Sequence, residues 1–408
     1  MVLLVLLGGL SAAPVAADAG DDTWRPLGSL PEKLDRPVLA LAADPADPQV
    51  LLAGTPTGTV YRSQDGGQTW RTVARHLGQE VLSIAFRPGQ HDVAVAGTRG
   101  GGIWLSTDRG GTWRQAPGTA GRTVRAFSFG TSLIAAGTDR GVLTSEDGSG
   151  WSGAGLDQVD ISTLAVTGGG ATPQLVAGGD AGRDGGWLPL YASRDGGRSW
   201  TGVAATVSAS SMVSALAAPS SPARVLLGTN GGLFASSDGG SHWSAVQADA
   251  GLPPVDVTGI GLGQPNGGRY YVASDGGGSD SGGLWVTRDG GWHFSSLKAP
   301  IPSVTALGVV PGPSPTLYAA TFRPSDHAVM LWSYRDTGGS PQGPASGVAG
   351  PAQHAAGAGA QHPATPARVL GVATLLTGPE APFLIVGVAA FLVLIAAFGF
   401  WVRNRRAL

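Results

Sequence analysis

A short β-like apolar run recurs seven times along the chain, at Val38 to Ala42, Val81 to Phe86, Val124 to Phe129, Ile161 to Val166, Val213 to Ala217, Val257 to Leu262 and Val304 to Val309. A second run follows each and ends in a small-residue step such as Ala53-Gly54-Thr55, Ala96-Gly97-Thr98, Ala136-Gly137-Thr138 or Leu227-Gly228-Thr229. A third run is entered through an apolar or aromatic pair: Val60-Tyr61, Ile103-Trp104, Val142-Leu143, Leu190-Tyr191, Leu233-Phe234, Leu284-Trp285 or Leu331-Trp332. A fourth begins at a tryptophan, as at Trp70 and Trp113. Four short β runs per unit and seven units predict an all-β fold, a seven-bladed β-propeller with four-stranded blades.

The third and fourth runs are joined by a repeated polar segment. Ser63, Asp65, Gly67, Thr69 and Trp70 keep their spacing in Ser106, Asp108, Gly110, Thr112 and Trp113, in Ser193, Asp195, Gly197, Ser199 and Trp200, and in Ser236, Asp238, Gly240, His242 and Trp243. Looser copies lie at Ser145, Asp147 and Trp151, one residue short, and at Thr287, Asp289, Gly291, His293 and Phe294. The six aspartates stand 43, 39, 48, 43 and 51 residues apart, the period of a propeller blade. Chain reversal explains the composition. Glycine admits the positive φ angles of a tight turn, while Asp and Ser oxygens accept the backbone N–H groups that the bend leaves without ladder partners. These aspartates therefore read as turn formers and not as catalytic acids.

The seventh unit lacks its fourth run. After Trp332 and Ser333 its aspartate, Asp336, is shifted by one place, and no aromatic follows. Asp22-Thr23-Trp24-Arg25, at the other end of the chain, reads like Thr69-Trp70-Arg71. The N-terminal segment is thus expected to supply the fourth strand of blade seven and close the ring.

This pattern resembles the Asp-box, or bacterial neuraminidase, repeat over roughly residues 24 to 335. That family includes sialidases, xyloglucan-cleaving glycosidases, sortilin-type receptors and the seven-bladed assembly factors of photosystem II. The resemblance implies the propeller fold and leaves two functions open, a binding or assembly scaffold and a glycoside hydrolase. A glycosidase needs two facing carboxyl groups. The only glutamates are Glu32, Glu80, Glu146 and Glu380, none of them an obvious acid in a pocket, and no catalytic residue is assigned.

The ends read differently. Residues 1–19 have the apolar run and small-x-small steps of a secretory signal peptide. Residues 337–381 are a Gly/Ala/Pro-rich tether, 382–402 an uncharged stretch long enough for a transmembrane helix, and 403–408 a tail with Arg403, Arg405 and Arg406. The positive-inside rule places that tail in the cytoplasm and residues 20–336, the propeller, outside a cell membrane crossed once.

With 26 Lys and Arg against 28 Asp and Glu, and lysine only at Lys33 and Lys298, the composition offers no basic surface for nucleic acid. The absence of cysteine excludes disulfides and thiolate chemistry. No metal or cofactor is expected; the two carboxylates of the glycine loop Asp275 to Asp280 are too few to define a calcium site. Propellers bind through the loops between strands two and three and those leading from strand four into the next blade. The binding candidates there are Arg99, Asp139, Arg140, Asp180, Arg183, Asp184, Asp275, Asp280, Arg323, Asp326 and His327. A mixed-charge rim of this kind suits a protein or other envelope partner.

Overall fold

A computed structural model describes residues 21–167, 172–179, 188–203, 213–218, 225–246, 250–264, 268–278 and 281–339. The expected signal peptide, most of the tether and the expected membrane span lie outside these residues. Among those described, no helix is long and apolar enough to cross a membrane.

The described strands form seven antiparallel four-stranded sheets, and in six of them sequence order is sheet order. The first strands are Ala40–Asp44, Val81–Phe86, Val124–Phe129, Ile161–Thr167, Val213–Ala217, Gly259–Leu262 and Val304–Val310. Each packs on its two neighbours, the seventh returning to the first, so the sheets form a closed ring. Small residues permit this close approach. A Cβ on Gly54 would meet Val81 Cγ1 at 2.3 Å, so glycine is required where the second strand of blade one faces blade two. The second strands are nearly continuous apolar segments, as in Val225–Thr229, because both of their faces are buried between blades.

Closure takes place in blade seven, whose strands are Val304–Val310, Thr316–Arg323, Ala328–Arg335 and, from the other end of the chain, Arg25–Pro26. Arg25 pairs with Ser333 and Pro26 with Trp332, as the sequence predicts. Trp24 is fully buried, its ring centroid is 5.0 Å from that of Tyr334, and its indole N–H donates to the Leu297 carbonyl at 2.7 Å. Trp70 and Trp200 likewise donate to Gly28 and Ala154, the backbone just beyond the outer strand of the preceding blade. Trp24 therefore occupies in blade seven the place of the tryptophan in other blades.

Two buried aspartates secure this junction. The Asp22 carboxylate accepts the N–H groups of Thr337 and Gly339, both at 3.0 Å, and the Thr337 hydroxyl. Burial pushes its pKa up, but these hydrogen bonds together outweigh burial and hold it below the usual carboxylate value. Asp336, displaced from the turn position, instead ties blade seven to blade six. It accepts from Arg288 Nη2 at 2.6 Å and from the Tyr271 hydroxyl at 2.7 Å.

The repeated polar segments form the turns between strands three and four. Ser63 Oγ accepts the Gly67 N–H at 2.8 Å and donates to Asp65 Oδ1 at 2.7 Å, and Asp65 in turn accepts the Thr69 N–H and hydroxyl at 2.9 and 2.6 Å. Ser106, Ser193, Ser236 and Thr287 open turns built in the same way. In blade four the Ser199 hydroxyl and amide, with Ser193, hold the Asp195 carboxyl down at about 2.

One turn breaks the glycine rule. Arg109 sits at φ +60° where the equivalent residues are Gly66, Gly196, Gly239 and Gly290, a conformation that costs a side chain about 1 kcal/mol. Its guanidinium crosses to blade one, where Nε lies 3.1 Å from the fully buried Asp44 carboxylate, which His91 Nδ1 also approaches at 3.2 Å. A buried carboxylate needs such compensation, which exceeds the strain.

Three outcomes are expected. Trp24→Ala destabilises the propeller by about 3 to 5 kcal/mol in urea unfolding, whereas the smaller loss in Asp22→Asn narrows in acid. The folded pKa of Asp22 is depressed, so its stabilisation is present above the ordinary carboxylate value and lost as pH falls through the folded one; melts at pH 7 and at successively lower pH check this. Arg109→Gly relieves backbone strain yet lowers stability by roughly 3 kcal/mol, and adding Asp44→Asn recovers most of the loss in the same measurement.

Candidate functional site

The loops opposite the polar turns gather residues from several blades into three groups. In the first, Glu80 bridges blades one and two: one carboxylate oxygen pairs with Arg36 and the other accepts Arg99 Nε at 2.7 Å. Arg36 also donates to the Pro56 carbonyl at 2.7 Å. In the second, Arg125 makes a bidentate pair with Asp160 of the next blade at 3.0 and 2.7 Å. Asp139 beside it accepts the Thr123 N–H at 3.0 Å and lies 4.0 Å from Arg140, whose carbonyl accepts from Arg122. In the third, Arg323 pairs with Asp326 through two 2.8 Å bonds, and His327 contacts the Asp35 carbonyl at 3.0 Å.

The structure thus distributes Arg99, Asp139, Arg140, Arg323, Asp326 and His327 over these three clusters. Asp275 stands apart, its carboxylate accepting the Gly277 N–H at 2.8 Å. Asp180, Arg183, Asp184 and Asp280 lie outside the described residues. Arg36, Arg99, Arg323 and Asp326 are about half exposed, so their pairs are partly open to solvent, whereas Glu80 is largely buried beneath its two arginines.

A second asymmetry comes from the first strands. In five blades the register shifts by one residue near the start of this strand, leaving Leu82, Arg125, Ser162, Ser214 and Thr305 as the extra residues; Leu39 and Thr258 hold the corresponding places in blades one and six. In blades four to seven the hydroxyl at this position donates to the next blade: Ser162 to Val213, Ser214 to Val257, Thr258 to Val304 at 3.2 Å and Thr305 to Val38 at 2.7 Å. Blades one to three have Leu39, Leu82 and Arg125 instead. Leu39 is 42% exposed, one of only two strongly exposed large apolar side chains among the described residues. Apolar surface therefore adjoins the Arg36, Glu80 and Arg99 cluster and the Arg125 pair, a combination suited to a protein surface.

Asp256, in the connection from blade five to blade six, is a residue that sequence reasoning missed. One of its carboxylate oxygens is buried with no hydrogen-bond partner among the described residues. Burial raises its pKa, and the charge of Asp275 adds to the effect. A buried carboxyl group whose pKa is raised is a candidate for general acid chemistry. Among the described residues no group of three His, Cys, Asp or Glu is placed to hold a metal ion.

A family model described as "Sortilin, neurotensin receptor 3" matches residues 58–132. No curated protein matches the chain. Among solved structures, the chain is similar to YCF48 bound to D1 peptide, with TM-score 0.55, 17% identity and coverage of 77% of this chain and 97% of that one. It is similar to the WD40 repeats of RRP9, with TM-score 0.55, 13% identity and coverage of 76% and 97%. It is also similar to a GH74 xyloglucanase from Xanthomonas campestris, with TM-score 0.52, 18% identity and 77% of this chain covered, although it spans only 56% of that enzyme's length. At these identities the likeness is one of fold, the seven-bladed propeller.

Proposed function

We propose that the protein is a non-catalytic propeller that binds a protein or other envelope partner through the loop face of blades one to three, held outside a cell membrane by its C-terminal segment. The observation that carries the binding reading is the exposed Leu39, at the strand position that Leu82 and Arg125 hold in the next two blades, together with the partly exposed arginines paired on the same loop face. An apolar centre with a charged rim is the usual anatomy of a protein-binding surface. YCF48, a propeller of similar fold, is bound to a peptide in its structure. The hydrogen-bonded turns have the composition and spacing of Asp-boxes, and we read them as such. The tether and its address rest on the apolar residues 1–19 and 382–402 and the arginines after them.

A second reading, a glycoside hydrolase, is favoured by Asp256 and Asp275 alone. It assigns Asp256 as general acid with Asp275 as the second carboxyl group.

In-cell photocrosslinking separates the two. A crosslinker at Leu39 is expected to recover one reproducible partner, and the same probe at Gln68, in a polar turn, is not. Leu39→Glu with Arg99→Glu should lower recovery of that partner, probed from a neighbouring loop, at least about tenfold. Failure to recover a reproducible partner from Leu39 counts against the scaffold. Turnover of fluorogenic glycosides by the full chain, abolished in Asp256→Asn, would establish the hydrolase.

A further inference from the structure

The outer edge of blade seven differs from that of the other blades. In blades two to six, the amide just beyond the fourth strand donates to the first or second residue of the third: Ala116 to Ile103, Ala154 to Val142, Val203 to Leu190, Val246 to Leu233 and Leu297 to Leu284. Their third strands are therefore covered almost from their first residue. In blade seven the corresponding donor, Leu27, meets Leu331 at 2.9 Å, but this strand starts at Ala328. Ala328, Val329 and Met330 extend past the end of the fourth strand, paired only with Arg323, Phe322 and Thr321 on their inner side.

Strand geometry fixes which groups face outward. Leu331 C=O points to Leu27, so Val329, two residues earlier, presents its N–H and C=O on the same outer side. Met330 C=O points inward, where it accepts the Thr321 hydroxyl at 3.2 Å. Val329 N–H and C=O have no partner among the described residues. They face a cleft of about 520 Å³ whose opposite wall is the segment from Leu27 to Leu34.

The cleft also carries charged groups of both signs. Glu32 on its wall accepts the Tyr61 hydroxyl at 2.8 Å, and Asp326 at its mouth is held by Arg323. Lys33 is exposed and has no ion pair among the described residues, which leaves one uncommitted positive charge beside the open edge and the apolar Leu30 and Leu34.

We propose that this cleft receives an extended segment of a partner protein, which adds a short strand to the Val329 edge, buries alternate apolar side chains against Leu30 and Leu331, and presents a carboxylate to Lys33. The proposal rests on the protein-binding reading above and names the form in which the partner is recognised. Hydrogen bonds from the edge provide sequence-tolerant affinity; the apolar wall and Lys33 select an apolar segment carrying acid.

The test uses the full-length chain and a fluorescein-labelled hexapeptide of alternating valine and threonine ending in aspartate, followed by fluorescence anisotropy. Saturable binding is expected. N-methylation of the peptide amides should weaken it at least about tenfold, since that removes edge hydrogen bonds without altering the protein. Val329→Pro removes the outward N–H and should have a similar effect. Lys33→Glu should weaken binding about fivefold and be rescued by a peptide ending in lysine.

Binding that ignores N-methylation, or no binding at about 1 mM peptide, overturns the proposal. So does a concentration-dependent dimer that Val329→Pro abolishes, because a second copy then fills the cleft. Recovery of the Leu39-crosslinked partner from Val329→Pro cells at the wild-type level, together with peptide failure, would sink the cleft reading while leaving the blade one to three surface standing.

Discussion

The fold depends on one constraint: the last blade reaches four strands, and is locked to the first, only because segments from before the first blade and from the end of the last meet in one sheet. Two residues of ladder pairing, Arg25 to Ser333 and Pro26 to Trp332, are a small contact for that task. Trp24 and Asp22 supplement it. One buries a large apolar ring against Tyr334; the other gathers donors from the opposite chain end. Asp336 then binds the closed blade to blade six, so closure and blade packing share one buried polar network.

Between blades the same logic operates on a smaller scale. Each interface combines an apolar layer with a few cross-blade polar bonds whose placement varies around the ring. Hydroxyls staple blades four to seven at their first strands, and Arg109 with Asp44 joins blades one and two near the polar turns. Blades one to three lack the hydroxyl staple and carry Leu39, Leu82 and Arg125 at that position. The binding surface proposed for them thus lies where charged pairs, rather than hydroxyl staples, connect neighbouring blades.

Much of this was legible in the sequence because the turn chemistry is local. Ser63, Asp65, Gly67 and Thr69 satisfy one another within seven residues, so the spacing alone predicts their bonds, and Trp24 was recognisable through its likeness to Trp70. The first strand of blade six was expected from Val257, yet its ladder starts at Gly259, although the Thr258 N–H already bonds to Ala273 C=O of the second strand. The candidate site was less legible. Asp256 acquires its character from burial and from Asp275 in another loop, and neither is visible in the order of residues. Tyr61 reads in the sequence only as half of an entry pair; it is buried, and its hydroxyl engages Glu32, a partner 29 positions away. Arg109 in a left-handed turn position makes sense only once Asp44 is seen beneath it.

The bonding of Asp22 to the segment that follows the last blade has a mechanical consequence. Gly339, the last described residue, is hydrogen-bonded to Asp22, near the first. Any tension transmitted along the chain beyond residue 339 is borne first by the Asp22 carboxylate and its bonds to Thr337 and Gly339, and next by the pairing of the third and fourth strands of blade seven. A pull on the chain beyond this point would load the very seam that holds the circle shut.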